Sequence, residues 1–163
     1  MPVKRADKTP MPVREADRRS HDFEEVNEGY CFAHAMFEAE RCLRCQDPVC
    51  VDGCPVRVPI AEFMHAVAAN DLPKASEILR QANPLAAICG RVCPQESQCE
   101  MNCHMTKRFG PVAIGHLERY VSDWEMAQPE SDEVKEPWRE EKIAIVGSGP
   151  SGLVLSLIHI SSP

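Results

Sequence analysis

Residues 42–55 read Cys42-Leu43-Arg44-Cys45-Gln46-Asp47-Pro48-Val49-Cys50-Val51-Asp52-Gly53-Cys54-Pro55, and the spacing of the thiols decides how the rest of the chain is read. The run is Cys-x2-Cys-x4-Cys-x3-Cys-Pro. In bacterial ferredoxin runs of this shape, three closely spaced thiolates take three corners of a cubane iron–sulfur cluster. The fourth, followed by proline, turns away to a second cluster. Proline after the ligand removes a donor and blocks helix continuation, which aims the thiolate elsewhere. Cys93-Pro94 repeats the feature inside a second group, Cys89, Cys93, Cys99 and Cys103, and Cys31 stands alone. Nine cysteines are therefore present. Two all-thiolate cubanes need one fewer, and the count does not say which thiol is spare.

Two other uses of cysteine compete. Disulfides fit badly, because the count is odd, no export signal precedes the thiols, and a reducing cytosol keeps them free. Zinc draws structural ligands from paired knuckles with a longer spacer and has no use for the Cys-Pro handover. Two groups of four thiolates nevertheless suffice for two tetrahedral zinc sites. A zinc-stapled interaction domain is thus the alternative from another class.

The 163 residues hold 18 Lys and Arg against 25 Asp and Glu, a net charge of −7. Such a chain is poorly suited to neutralising nucleic-acid phosphates. No apolar run approaches the roughly 18 residues of a bilayer span. Lys4, Arg5, Lys8, Arg14, Arg18 and Arg19 are not followed by the apolar segment of a secretory signal. A cytoplasmic protein without nucleic-acid or membrane partners is expected. Hydrophobic residues make up 44% of the chain but aromatics only 6%, with 14 prolines.

Along the chain, residues 1–25 read as an extended, solvated arm, with docking to an acidic partner an equal use of its basic residues. Residues 26–128 form one mainly α domain. The spacing predicts a helix from Val26 to Arg44 with Tyr30, Ala33 and Phe37 inward, then irregular chain through the first cysteine group. Helices follow at Ile60 to Ala69 and Leu72 to Gln81, the second capped from Asn70-Asp71. Leu85 to Cys93 reads as a turn-rich segment. Pro94 opens a short helix that carries Cys99 and Cys103 on one face, four residues apart. Ile114, Leu117, Tyr120, Val121 and Trp124 mark a longer helix. Residues 129–141 are a proline- and acid-rich linker.

Residues 142–163 begin another kind of domain. Lys142-Ile-Ala-Ile-Val146 has the composition of a buried strand, and Gly147-Ser-Gly149-Pro-Ser-Gly152 follows at once. A strand feeding G-x-G-x-x-G opens a Rossmann-type dinucleotide site, where glycines make the tight turn and admit a pyrophosphate to the helix N-terminus. Gly147, Gly149 and Gly152 are the candidate cofactor contacts. The acidic residue that binds ribose is expected about 20 residues further on, but only residues 153–163 follow. The expected reading is a truncated FAD domain that does not bind FAD or NAD alone. Leu155 to Pro163, out of register with an Ala-rich helix, reads as truncation or non-native sequence.

Taken together, Phe23-Glu-Glu-Val26, Gly29-Tyr30, Glu38-Ala-Glu-Arg41-Cys42-Leu43-Arg44-Cys45, Cys50, Gly53-Cys54-Pro55-Val56, Cys89-Gly-Arg-Val-Cys93-Pro94, Cys99-Glu100, Cys103 and Ile114-Gly-His-Leu-Glu118-Arg119-Tyr120 resemble the small (beta) subunit of NADPH-dependent glutamate synthase. They are similar too to beta-type subunits of related flavoprotein oxidoreductases and to the N-terminal domain of dihydropyrimidine dehydrogenase. The resemblance runs over about residues 20–154.

The resemblance implies an α-helical ferredoxin fold with two [4Fe-4S] clusters, ahead of FAD and NADPH domains. It implies Cys42, Cys45, Cys50 and Cys103 on one cluster. Cys54, Cys93, Cys99 and Glu118 would hold the other, with Cys89 in place of Glu118 as the alternative. Cys31 and Cys89 are then small buried residues. The implied activity is oxidoreductase: NADPH reduces FAD, and the clusters carry single electrons to a partner. For glutamate synthase that partner is the large (alpha) subunit. A beta-type subunit of a ferredoxin:NADP or another NAD(P)H-dependent reductase is the alternative, with another redox partner subunit. No catalytic residue is expected in the fragment itself. Arg41, Arg44, Arg91 and Arg119 are expected near the thiolates, where they offset cluster charge or merely lie on helix surfaces. His104 and His116 are expected beside the sites without ligating.

Overall fold

The structure is a computed structural model that describes residues 6–129 and 142–161. It divides into two units, Met1–Ala127 and Gln128–Pro163. The first unit holds α1 (Ala16–Arg19), α2 (Phe32–Glu40), α3 (Val49–Asp52), α4 (Ile60–Ala68), α5 (Leu72–Ala82), α6 (Ala86–Val92), a 3-10 turn (Gln95–Ser97), α7 (Thr106–Phe109) and α8 (Ile114–Met126). The second holds α9 (Pro150–Ser161). No helix is long and apolar enough to cross a membrane among the described residues.

Three helices form where their apolar period places them. α4 buries Ile60, Phe63, Met64 and Val67 and stops where Asn70 enters the left-handed region at φ 57°. Asp71 then caps α5 by accepting the Lys74 backbone N–H at 3.1 Å, with Pro73 in the first turn. Leu72, Ala75, Ile78 and Leu79 face inward. α8 buries Ile114, Leu117 and Val121. α4 packs on α2 and α5, and α8 packs on α5, α6 and α2. The core formed this way is aliphatic: Met64, Leu79, Leu117, Val67 and Val121 are sealed inside, with Phe63 as their aromatic member.

Elsewhere the structure departs from the periodicity. The helix expected over residues 26–44 runs only from Phe32 to Glu40. Gly29 sits at φ 81°, and residues 12–14 pair with residues 26–28 through Arg14 N–H to Val26 O and Glu28 N–H to Pro12 O, both 2.9 Å. Those bonds commit the chain before Tyr30 to an antiparallel bridge. α2 also turns a different face inward: Ala35, Glu38 and Ala39 are buried, whereas Ala33 and Phe37 are exposed.

Residues 85–93 are not irregular, since α6 occupies Ala86–Val92. The helix expected after Pro94 lasts one 3-10 turn, because Gln98 at φ −122°, ψ −114° leaves helical space. Cys99 and Cys103 therefore do not share a helix face.

The first described part of the N-terminal arm is built into the fold, whereas residues 15–25 are exposed as expected. Thr9 is buried, and its backbone N–H donates to Glu38 Oε2 at 2.8 Å. Lys8 pairs with Glu100 at 2.5 Å. Lys4 and Arg5 lie outside the described residues, as does nearly all of the 129–141 linker.

Candidate metal centre

The chain between α2 and α4 carries three thiols around a tight path. Arg44 takes φ 53° between Cys42 and Cys45, and α3 presents Cys50. Cys103, from the turn before α7, joins them, so that Cys42, Cys45, Cys50 and Cys103 line one cavity. Its remaining wall is mostly apolar, including Pro48, Val49, Ile60, Met64, Val112 and Ile114. Burial pushes the Cys50 thiol up to about 12, with Cys103 and Cys42 adding to the effect. Cys42 is raised by burial and then by Cys103 and Cys45, and a backbone N–H together with Arg44 opposes the shift. Clustered thiolates that repel one another in an apolar wall are stabilised by a cationic metal group, whose binding displaces their protons.

A second set gathers on the other side of the cysteine loops. Cys93 is pushed up to about 11 by burial, then by Cys89, Glu118 and Cys54. Cys99 is pushed up to about 12 by burial, then by Glu100, Cys54 and Glu118. Cys93 and Cys99 thus each lie within electrostatic reach of Cys54 and Glu118, and Cys93 also of Cys89. Glu118 is only 8% exposed. Burial raises its carboxyl to about 7, opposed by the Asn83 hydrogen bond.

Two glycines bring this second set together. A Cβ on Gly53 would stand 2.7 Å from Gln98 O and 2.5 Å from Asn102 Nδ2, so the chain leading to Cys54 lies flat against the turn leading to Cys99. A Cβ on Gly90 would stand 2.6 Å from Arg119 N and 2.9 Å from Arg119 Cα. α6 and α8 therefore touch backbone to backbone, which lays Cys89 and Cys93 alongside Glu118.

Among the described residues no three His, Cys, Asp or Glu side chains close on a position for a single metal ion. The first set rings a cavity instead. Its donors, four thiols in an apolar wall, suit a group of several atoms. The second set offers three thiols and one carboxylate.

Three of the four arginines expected to face the thiolates are committed elsewhere. Arg41 is fully buried; it pairs with Glu38 and donates to the carbonyls of Ala6, Phe109, Gly110 and Pro111. Arg91 binds Glu25 and Asp123 at 2.7 and 2.6 Å. Arg119 binds the same two carboxylates and Asn27 O. Arg44 acts on a thiol of the site, Cys42.

His104 is exposed at the first cavity's edge. His116 is half-buried against Tyr30, its Nδ1 3.1 Å from the hydroxyl. The Tyr30 hydroxyl donates its one proton to Thr9 O, so His116 Nδ1–H is the donor between them. Burial holds His116 down to about 4. Cys31 is exposed at the N-cap of α2, not a buried small residue.

In the second unit, Lys142 to Ser148 forms no strand, and Ile143 and Val146 are exposed. A strand exists only against a neighbour, and none is present among the described residues. The glycine turn is formed all the same. Gly147 has φ 117°, and a Cβ on Gly152 would stand 2.5 Å from Gly147 O. A Cβ on Gly149 would meet nothing.

The sequence does not show the contacts of Asn83, Glu38, Gly53 and Gly90. Asn83 reads only as the helix stop before Pro84, and a lone glycine or acidic residue carries no signal of a contact that forms across the fold.

Comparison with known proteins gives the family. The family described as dihydropyrimidine dehydrogenase domain II, 4Fe-4S cluster, matches residues 19–130. The glutamate synthase [NADPH] small chain of Halomonas elongata is 38% identical over 152 residues, 93% of this chain and 32% of that one. That of Escherichia coli is 37% identical over 149 residues, 90% of this chain and 30% of that one. The NAD-dependent dihydropyrimidine dehydrogenase subunit PreT of Escherichia coli is 35% identical over 136 residues, 82% of this chain and 32% of that one. The chain spans about a third of the length of these relatives. With the match covering most of the chain and both thiol sets inside it, this protein belongs to the family of the dihydropyrimidine dehydrogenase 4Fe-4S domain, whose members include oxidoreductase subunits.

Proposed function

We propose that this domain is the electron-transfer part of an NADPH-dependent glutamate synthase small subunit. Cys42, Cys45, Cys50 and Cys103 would hold one [4Fe-4S] cluster, and Cys54, Cys93, Cys99 and Glu118 a second. The observation that carries the reading is the sorting of the thiols: Cys103 lines the cavity of Cys42, Cys45 and Cys50, while Cys99, four residues earlier, is absent from that wall and feels the charge of Cys54 and Glu118. Such a cluster, when bound, exchanges one electron at a time with little rearrangement. The chain's own part is to supply the thiolates, to give up their protons, and to wall the first site with Ile60, Met64, Val112 and Ile114 against water.

The glycine turn at Gly147–Gly152 supports a flavin or nicotinamide domain in the remainder of the whole protein, which would deliver electrons from NADPH through FAD. The acceptor in this reading is a large subunit that makes glutamate. A second reading has its own observation. The PreT relative, at 35% identity, is named for an NAD-dependent dihydropyrimidine dehydrogenase, so the same domain fits another NAD(P)H-dependent reductase with another partner.

The test is anaerobic reconstitution of the chain with iron and sulfide, followed by metal analysis and EPR after reduction. Two clusters' worth of iron and acid-labile sulfide, in a brown protein with two reduced signals, is expected. Zinc at two ions per chain with no sulfide overturns the assignment. Purification of the full-length protein with its bound subunit then separates glutamate synthase from the other reductases.

A further inference from the structure

Asn83 sits at the junction of α5 and α6, only 5% exposed. Its side chain makes contacts in opposite directions. Nδ2 donates to Glu118 Oε1 at 2.8 Å, across 35 residues of sequence. Oδ1 accepts the Leu85 backbone N–H at 3.1 Å and the Cys89 thiol at 3.8 Å. The Asn83 backbone N–H is held as well, by Leu79 O at 2.7 Å.

We infer that Asn83 is the positioning residue that presents Glu118 to the second cluster, by occupying one carboxylate oxygen and leaving Oε2 to iron. This rests on Glu118 being a ligand. A thiolate has one ligating atom, whereas a carboxylate has two and rotates freely about its last bond. Unheld, it binds an iron through either oxygen or both. The two donors on Oδ1 fix which end of the amide faces which way, since the carbonyl end already accepts from Leu85 and Cys89. Only the NH2 end is left for Glu118. The arrangement gives the residue that replaces a cysteine its own fixed orientation, as donors behind metal ligands do in general. It also gives Cys89 a use without ligation, as donor to the amide that holds the carboxylate.

The inference is tested on the whole chain, reconstituted anaerobically with iron and sulfide and examined by EPR after reduction. Asn83→Asp keeps the acceptor for Leu85 and Cys89 but replaces the donor to Glu118 with a carboxylate oxygen that repels it. Asn83→Leu adds no charge. Both are expected to change the line shape and g-values of one cluster signal and leave the other as in the parent. In a Glu118→Cys background, where a thiolate ligates without help, the same substitutions are expected to change nothing further.

If Glu118→Ala alters one signal while Asn83→Asp and Asn83→Leu alter neither, the positioning role is overturned and the ligand stands. If the Asn83 substitutions perturb the signal equally in the Glu118→Cys background, Asn83 acts on the fold and not through the carboxylate, and the inference is again overturned. If Glu118→Ala leaves both signals intact, ligand and positioning fall together. Far-ultraviolet circular dichroism of each variant monitors folding. Asn83→Asp, which retains the helix-junction bonds, carries the test if Asn83→Leu does not fold.

Discussion

Glu38 and Arg41, one helical turn apart, form an ion pair at 2.5 Å in which neither side chain is exposed. The pair is a hub. Glu38 accepts the backbone N–H of Thr9 from the arm and of Ala113 from the loop before α8, each at 2.8 Å. Arg41 donates to four carbonyls, three of them at residues 109–111. One residue beyond Arg41 lies Cys42. The polar cluster thus pins the arm, the loop leading to α8 and the start of the first thiol loop to one another.

Breaking that pair is expected to be costly. Glu38→Ala leaves a buried guanidinium without its counter-charge, and such losses run about 3–5 kcal/mol. Urea unfolding of the reconstituted chain measures it. Arg41→Lys keeps the charge but not the fork that reaches four carbonyls, so it is expected to be nearly as damaging. A change under about 1 kcal/mol, the range of exposed pairs, in either variant contradicts the hub.

Gly90→Ala puts a methyl group 2.6 Å from Arg119 N. α6 and α8 must separate, and Cys93 moves away from Glu118. The expected result is loss of the second cluster with the first retained, so that iron per chain falls toward that of one cluster. Gly149→Ala, whose new Cβ meets nothing, is the matched control and leaves iron content unchanged. Equal iron in both variants refutes the close approach as the device that builds the second site.

Tyr30→Phe removes the donor to Thr9 O and the acceptor for His116 Nδ1–H while keeping the ring contact with His116, whose centroid is 5.2 Å away. A buried carbonyl and a half-buried imidazole N–H lose a partner, for a cost of about 1–3 kcal/mol. Amide hydrogen exchange over residues 6–14 is expected to accelerate in step with that loss. Unchanged exchange there means that the arm is held without the tyrosine.

A pH titration reports on the arm separately. Arg14 binds Asp22 through two bonds of 2.7 and 2.6 Å, and this, with the Glu24 backbone N–H, holds the Asp22 carboxyl down to about 2 against an ordinary 3.8. A folded-state value below the unfolded one favours the fold above the unfolded value. The contribution is therefore whole above about 3.8 and is lost as pH falls toward 2. Side-chain carboxyl NMR of Asp22 follows it, and Arg14→Ala is expected to return the titration to the ordinary range. An Asp22 that titrates normally in the parent chain contradicts the Arg14–Asp22 ion pair.

The helices legible in the sequence are those whose burial is local and apolar: α4, α5 and α8 carry their inward faces at three- and four-residue intervals. α2 was legible only as a helix, because its buried face is two alanines and a glutamate, a pattern that periodicity assigns to solvent. α6 was hidden by its glycine and cysteines, which serve contact with α8 rather than helix propensity. The partners of the arginines near the cysteines were not legible either: Glu25 reaches Arg91 and Arg119, and Asp123 reaches Arg91, across more than 30 residues, while only Glu38–Arg41 and Asp123–Arg119 are local.

By itself the sequence determined that thiols held in short loops, and turned by Cys-Pro steps, are the centre of this protein, since ligand spacing along a loop is a local property of the chain. That Cys103 lines one cavity with Cys42, Cys45 and Cys50, that Asn83 bonds Glu118, and how residues 8 and 9 of the arm are anchored were decided only by tertiary structure. Those depend on backbones meeting at Gly53 and Gly90 and on buried bonds from Asn83 and Glu38, contacts between residues that the order of the chain leaves far apart.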